Sequence, residues 1–411
     1  SGFEIENLEV STPKTKKIES VPFYNIDANG IWENGILNYK INGMLWNGTI
    51  QSNLVVNLPD LLRASLTGTY NSETKFDKLD FSSIRFNHLD KWTPVTGTAN
   101  GSIKTQSSLN KDIRTYGKLE INDLSLKHEI PYTAKQVTFS FSKKSPYQTQ
   151  ARVQFNDLQL NNILLSSVKA ILKISPEKFI FNSGRIVPPN GIILFSGHYR
   201  PKPNTYVIRI DGNKLFLPDF LKGKMEGSGL FKGMFQGNFN TAKIIQQKGE
   251  DVYFSHIADG LSGKFGFEVE NGHINSSLWM TDELIPSLSP VAVISKKIGL
   301  SYDTLIGNFK VWKGKTSTDN FELKGPQINL SASATANLVT GELDGKIKVT
   351  PMQLLNSITN AAPLLSDVFK NDLKDALTET HFNLDGTWEK PKLILKEEKT
   401  LFDKPMDILN N

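Results

Sequence analysis

The chain has 411 residues, 38% of them hydrophobic, and a formal net charge of +5 from 47 basic and 42 acidic side chains. That surplus is too small to mark a nucleic-acid surface, and no long basic run or aromatic-basic ladder accompanies it, so no nucleic acid is expected as a partner. With no cysteine, disulfides, thiol catalysis and Cys-ligated metals are excluded, and no run reaches the roughly 20 apolar residues of a membrane-spanning helix.

From the start of the chain, Ser1-Gly2-Phe3 shows neither an initiator Met nor a signal-peptide pattern. It reads as the beginning of a soluble fragment from which an upstream anchor or further repeats are missing. Lys14, Lys16 and Lys17, beside Pro13, read as a solvated loop; contact with an anionic leaflet would contribute about 1 kcal/mol for each lysine, too little to anchor a protein.

Strands are predicted almost everywhere after that. Leu54, Val56 and Leu58 alternate with polar residues, as do Val137, Phe139 and Phe141, then Phe265, Phe267 and Val269. A period of two gives each strand one apolar and one wet face, the mark of antiparallel sheet rather than βαβ units. The dipeptides Asn29-Gly30, Asn34-Gly35, Asn42-Gly43, Asn47-Gly48, Asn100-Gly101, Asp211-Gly212, Asn271-Gly272 and Asp385-Gly386 tolerate positive φ and are predicted as hairpin turns of a meander. On the order of 20 strands would extend roughly 100 Å if the sheet stayed continuous. Its apolar face would need a cover: a second sheet, the sheet's own curling, a partner protein or lipid chains.

The run from Gly223 to Gly237 interleaves glycines with Met225, Leu230, Phe231, Met234, Phe235 and Phe239. Glycine in strands marks bulges, bends or close backbone approach; the same composition would also leave soft Met and Phe surfaces facing a ligand of no fixed shape. Two helical inserts are predicted, near 287–299 and 351–378. The first is capped by Ser289 with Pro290 at its first position, and the second opens on Thr350-Pro351-Met352-Gln353 and resumes after Pro363. Leu365, Val368, Phe369, Leu373 and Leu377 share one stripe of it, with Lys370, Asp372, Lys374 and Asp375 opposite. Such a stripe packs as a plug on the sheet or docks on a membrane or partner, and its balanced charge weighs against an anionic bilayer.

Catalytic and metal signatures are missing. His88, His128, His198, His256, His273 and His381 are far apart, and no His-x-x-x-His spacing occurs. Gly227-Ser228-Gly229 has its next glycine, Gly233, one residue too late for a dinucleotide fingerprint. Phosphate loops, nucleophile elbows and calcium loops are likewise unmatched. No enzyme activity, metal or cofactor is expected.

The region from Asp319 to Leu395 carries Asn320-Phe321-Glu322-Leu323-Lys324-Gly325-Pro326, then Gly341-Glu342-Leu343-Asp344-Gly345 running into Thr350-Pro351. It ends on Phe382-Asn383-Leu384-Asp385-Gly386-Thr387-Trp388 before Lys390-Pro391. With Ile257-Ala258-Asp259-Gly260-Leu261-Ser262-Gly263 and Glu270-Asn271-Gly272-His273-Ile274 upstream, this order of hairpins, helical insert and last strand resembles the C-terminal region of AsmA-like proteins. That group includes YhdP and TamB and is known for long β-grooves implicated in moving phospholipids between the two bacterial membranes. Further upstream, Leu66-Thr67-Gly68-Thr69 and Pro94-Val95-Thr96-Gly97-Thr98 resemble the family's β-repeats.

The resemblance implies a mainly β fold: a long, strongly curved antiparallel meander forming an elongated groove over residues 1–250, followed by an AsmA-like region over 251–411 with short amphipathic helices. It implies a periplasmic location in a Gram-negative envelope, with tethering to the inner membrane by a preceding N-terminal helix. Phospholipids, components of the inner and outer membranes, and an envelope protein are the implied partners. The groove lining is expected from Phe139, Phe141, Phe155, Phe265, Phe267, Phe321, Leu323, Leu330, Ile347, Val349, Phe382 and Leu384. The alternative is a structural or chaperone role in outer-membrane protein assembly or envelope integrity; a carbohydrate-acting β-domain comes third and would need converging carboxylates.

Overall fold

A computed structural model describes residues 3–10, 21–57, 68–83, 85–88, 91–108, 113–126, 132–145, 148–160, 163–218, 225–238, 260–275, 300–326, 328–352, 380–387 and 390–396. The chain divides into two compact units, Ser1–Asp211 and Gly212–Asn411.

The first unit contains β1 (Phe3–Val10), β2 (Val21–Glu33), β3 (Ile36–Leu45), β4 (Gly48–Asn57), β5 (Thr69–Asp80), β6 (Arg85–His88), β7 (Lys91–Ser108), β8 (Arg114–Leu126) and β9 (Tyr132–Ser145). It continues through β10 (Gln148–Leu160), β11 (Ile163–Ile174), β12 (Phe179–Val187) and β13 (Ile192–Arg200) to β14 (Thr205–Phe216), across which the units divide. From β1 to β13 each strand pairs antiparallel with the next, except that β6 is a short arm on the start of β7 and β5 pairs with β7 directly. In the second unit β15 (Met225–Asn238), β16 (Ser262–Ile274), β17 (Leu300–Trp312), β18 (Lys315–Lys324), β19 (Ile328–Asn337), β20 (Leu343–Pro351), β21 (Thr380–Gly386) and β22 (Pro391–Leu395) repeat the pattern. The protein is thus mainly β, an antiparallel meander. It is open rather than closed into a barrel: among the described residues β1 pairs only with β2, and β22 only with β21.

The expected alternation is present. Leu54 and Val56 are half-buried around an exposed Val55, and Phe265 and Phe267 share a face with the buried Val269; Leu58 lies outside the described residues. The predicted turns need correction. Asn34-Gly35 joins β2 to β3 with φ of 50° and 77°, and Gly386, φ 91°, closes β21. At Asn47-Gly48 the turn is shifted by one residue, with Trp46 and Asn47 at φ 47° and 59° and Gly48 opening β4. The other dipeptides lie inside strands: Asn29-Gly30 in β2, Asn42-Gly43 in β3, Asn100-Gly101 in β7, Asp211-Gly212 in β14 and Asn271-Gly272 in β16.

The reason is steric. A Cβ on Gly30 would sit 2.9 Å from Cδ2 of Tyr39, and one on Gly101 would collide with the Lys118 carbonyl oxygen of the next strand. These glycines allow a side chain or a neighbouring backbone to approach closely rather than reversing the chain. Sharp local conformations occur instead inside strands, where Lys78, Asp123, Asp157 and Asn271 take φ near 50°; at Lys78, Asp123 and Asn271 the register also shifts, marking a bulge. Each bulge bends its strand and increases its twist.

The helix start expected at Pro351 is also corrected: Thr350 and Pro351 finish β20, opposite Asn329 and Ile328. A strand end is a position where proline's missing N–H is tolerated. The rest of that insert, 353–378, and the one near 287–299 lie outside the described residues.

Candidate functional site: the apolar face

Register carries the apolar side chains of neighbouring strands onto one face. In the first unit a single row runs Ile50–Phe76–Gly101–Leu119–Phe139–Val153–Ala170–Gly184–Phe195 from β4 to β13. Two residues along each strand, Phe141 lies between Gly117 and Ala151. Two residues the other way, Phe155 lies between Val137 and Val168. No charged side chain interrupts these three rows; Lys143 marks the end of the face near the strand termini. Glu73 and Lys104, paired at 3.1 Å, and Lys118 and Glu120, at 3.6 Å, occupy positions between the apolar ones and so stand on the opposite face.

Three rows spaced two residues apart make a strip about 13 Å wide, and its nine strands extend it about 38 Å. That is at the upper end of the apolar patches that monomers leave uncovered. Most of the strip, including Phe139, Phe141 and Phe155, is half-buried. Ala134, Val137, Leu158 and Leu165 are buried and form a small core at its edge, with Val153 and Phe155 packed against them. One polar step breaks the first strands of the face, where Ser52 and Thr74 satisfy each other at 2.9 Å.

The second unit builds its face from alternating glycine and phenylalanine. Phe231 pairs with Phe267, which pairs with Gly307; in the next row Gly233 pairs with Phe265, which pairs with Phe309. The rings form a connected ladder, with Phe265 and Phe309 stacked at 4.8 Å, Phe231 and Phe235 each 5.9 Å from Phe265, Phe267 5.8 Å from Phe309, and Phe321 edge-on to Phe267 at 6.4 Å. Glycine lets the rings lie down on the sheet: a Cβ on Gly307 would be 2.7 Å from Phe309 Cε2 and 3.1 Å from Phe267 Cζ. All six phenylalanines are half-buried.

The neighbouring row is different. Val269, Leu305, Leu323, Leu330 and Val349 pair in succession from β16 to β20 and are only 0–4% exposed. Ile347 at 6%, Phe382 at 1% and Leu384 at 7% join them in one hydrophobic core, together with Ile274, Leu300, Tyr302 and Ile328. Of the expected lining residues, then, Phe139, Phe141, Phe155, Phe265, Phe267 and Phe321 keep accessible surface, whereas Leu323, Leu330, Ile347, Val349, Phe382 and Leu384 are enclosed side chains. The first three lie in one unit and the rest in the other.

Tyr302 pins this core. Its hydroxyl donates to the Glu226 carbonyl at 2.6 Å, reaching past β16 over Gly272, where any Cβ would collide with the ring, and under Gly227, held at φ 132°. Burial pushes the phenol's pKa up to about 12. The bulges at Gly227 and Asn271 therefore make room for one aromatic side chain.

Among the described residues no group of three or more His, Asp and Glu side chains is placed to hold a metal ion. The described histidines are strand residues: His88 in β6, His198 in β13, His273 in β16 with Nδ1 3.2 Å from Ser301 Oγ, and His381 in β21. Sequence reasoning missed Phe309 and Tyr302; the spacing Gly307-x-Phe309, matching Gly233-x-Phe235, was the available signal for the former. No family model matches the chain, and no curated protein matches it.

Proposed function

We propose that this chain is a periplasmic segment of a bridge-like intermembrane phospholipid transport protein, in which a curved apolar groove shields acyl chains while headgroups stay in water. The observation that supports it is the uncharged, half-exposed strip crossing β4 to β13, continued in kind by the phenylalanine ladder of β15 to β18. A lining of this sort gives non-directional affinity, about 0.8 kcal/mol for each methylene removed from water. With no ionic group to trap one headgroup, it favours sliding over gripping. The resemblance of Asp319 to Leu395 to the AsmA-like C-terminal region points the same way and supplies the envelope location and the inner-membrane tether. In this reading the enclosed core around Phe382 closes the face, and the amphipathic inserts expected near 287–299 and 351–378 serve as its plug.

The test is native mass spectrometry of the protein from bacterial envelopes, with lipid extraction before and after mild delipidation. Several exchangeable phospholipids on each chain support the conduit. Aspartate at Phe139, Phe141 and Phe155 together should abolish both bound lipid and transfer while the far-UV spectrum stays that of a sheet; intact transfer by that folded variant would sink the reading.

One observation favours the structural or chaperone alternative. Among the described residues β22 is paired on one side only, and Ile394 and Leu395 on it are 52% and 56% exposed, so it would offer an edge to which a client strand of an outer-membrane protein could add. A chain that is consistently empty of lipid, yet crosslinks to nascent barrel strands from position 394, would decide for that role.

A further inference from the structure

The turn between β17 and β18 carries a combination that the apolar face does not use. Trp312 is 66% exposed, more than any other large hydrophobic side chain among the described residues, and it points away from the face on which its neighbour Val311 is buried. Lys310 shares its side of the sheet, Lys315 pairs directly opposite it, and Lys264 pairs with Lys310 on the next strand. Lys313 occupies the turn itself with its Nζ 5.7 Å from the indole centroid. All four lysines are exposed, and among the described residues none is ion-paired. Val339, 43% exposed, stands on the adjoining turn.

The tip is held firmly. Lys313 and Gly314 take φ of 47° and 74° in a two-residue reversal, the geometry that suits the twist of a hairpin. The Lys313 N–H donates to Ser262 Oγ at 3.3 Å, the Gly314 N–H to the Leu261 carbonyl at 3.2 Å, and the Leu338 N–H to the Gly314 carbonyl at 2.7 Å. Two neighbouring segments, at Leu261–Ser262 and at Leu338, thus hold the tip.

We propose that this tip docks on an anionic phospholipid bilayer, with Trp312 in the headgroup layer and Lys264, Lys310, Lys313 and Lys315 on the lipid phosphates. Charge complementarity selects an anionic surface, and an amphipathic indole is the side chain that settles at the bilayer interface. The exposure of the Trp312 ring, at 66%, favours a deformable surface, since a projecting ring would need a preformed pocket on a protein partner. The proposal goes beyond the transport reading and does not depend on what the apolar face carries.

Cosedimentation of the full chain with vesicles of phosphatidylcholine alone, and of phosphatidylcholine mixed with phosphatidylglycerol, tests it. Wild type is expected to bind only the anionic vesicles and to release them as salt rises. The variant K310A/K313A/K315A should bind them on the order of a hundredfold more weakly, and Trp312→Ala roughly tenfold more weakly. Quenching of tryptophan emission by brominated lipid should fall in Trp312→Ala. The variant K390A/K392A/K396A, on a different turn and edge strand, should behave as wild type; circular dichroism confirms that each variant keeps its sheet. Equal binding to neutral vesicles, no binding at all, tip variants that bind as wild type, or equal loss in the control triple would each overturn the proposal. Bound lipid counted by mass spectrometry is a separate readout, so either reading can fail alone.

Discussion

Truncating Phe382 and truncating Phe267 should have unequal consequences, and the difference tests whether the second unit holds a closed core beside an accessible ladder. Phe382 is 1% exposed and packed within the core that includes Ile347, Val349 and Leu384, so Phe382→Ala removes a full ring from an enclosed site and should cost about 3–5 kcal/mol. Phe267 is half-buried and touches Phe309 at 5.8 Å and Phe321 at 6.4 Å. Its truncation loses part of a side chain's burial and two ring contacts, about 1–2 kcal/mol. With a urea slope of about 2 kcal/mol per molar, the midpoint should move by roughly 1.5–2.5 M for Phe382→Ala and by under about 1 M for Phe267→Ala. Urea unfolding followed by hydrogen exchange on β20 and β21 reads the affected unit directly. Lipid content, measured below both transitions, should fall for Phe267→Ala and hold for Phe382→Ala. Equal midpoint shifts would refute the division into core and open face.

Gly307→Val should break the phenylalanine ladder, because its Cβ would come 2.7 Å from Phe309 Cε2; a loss of about 1–3 kcal/mol and a changed near-UV aromatic spectrum are expected. Tyr302→Phe removes the 2.6 Å bond to the Glu226 carbonyl and should cost about 1–2 kcal/mol at neutral pH. Burial raises the Tyr302 pKa from 10.0 to about 12 in the folded protein, so above pH 10 the unfolded chain loses this proton first and stability declines until the folded value is passed. Alkaline unfolding of Tyr302→Phe should therefore be less steep between those two values than that of wild type. His198 should titrate by NMR below 6.5, because desolvation, then Lys178 and Arg200, disfavour its cation.

The strand content, the antiparallel order and the apolar face were legible in the sequence, because a period of two in side-chain direction is a property of each strand alone. Val137, Phe139 and Phe141 fall on one face whatever lies beside them. Glycine was misread for a related reason. In Asn100-Gly101 a local rule sees a turn, whereas the need for that glycine comes from the next strand, where the Lys118 carbonyl oxygen would collide with a Cβ and Leu119 is the register partner 18 positions away. Turn propensity is local, and close packing between strands is not.

Which apolar residues stay accessible was decided only in three dimensions. Phe321 and Leu323 are two residues apart on the same strand and face, yet the first is half-buried and the second is 0% exposed. Alternation assigns a side chain to a face; it says nothing about what stands above that face at a given point. The row containing Leu323 lies toward the Ile274, Leu300 and Ile328 ends of its strands, where the core has formed, and the Phe321 row lies one pleat away from it. The same holds for the Trp312 tip. Its tryptophan and lysines are plain in the sequence, but Lys264 reaches them only through the pairing of β16 with β17, and burial of Val311 is what turns the indole outward. The sequence alone determined strand, face and charge; long-range register and the enclosure of one row determined which of those side chains still meet solvent or a partner.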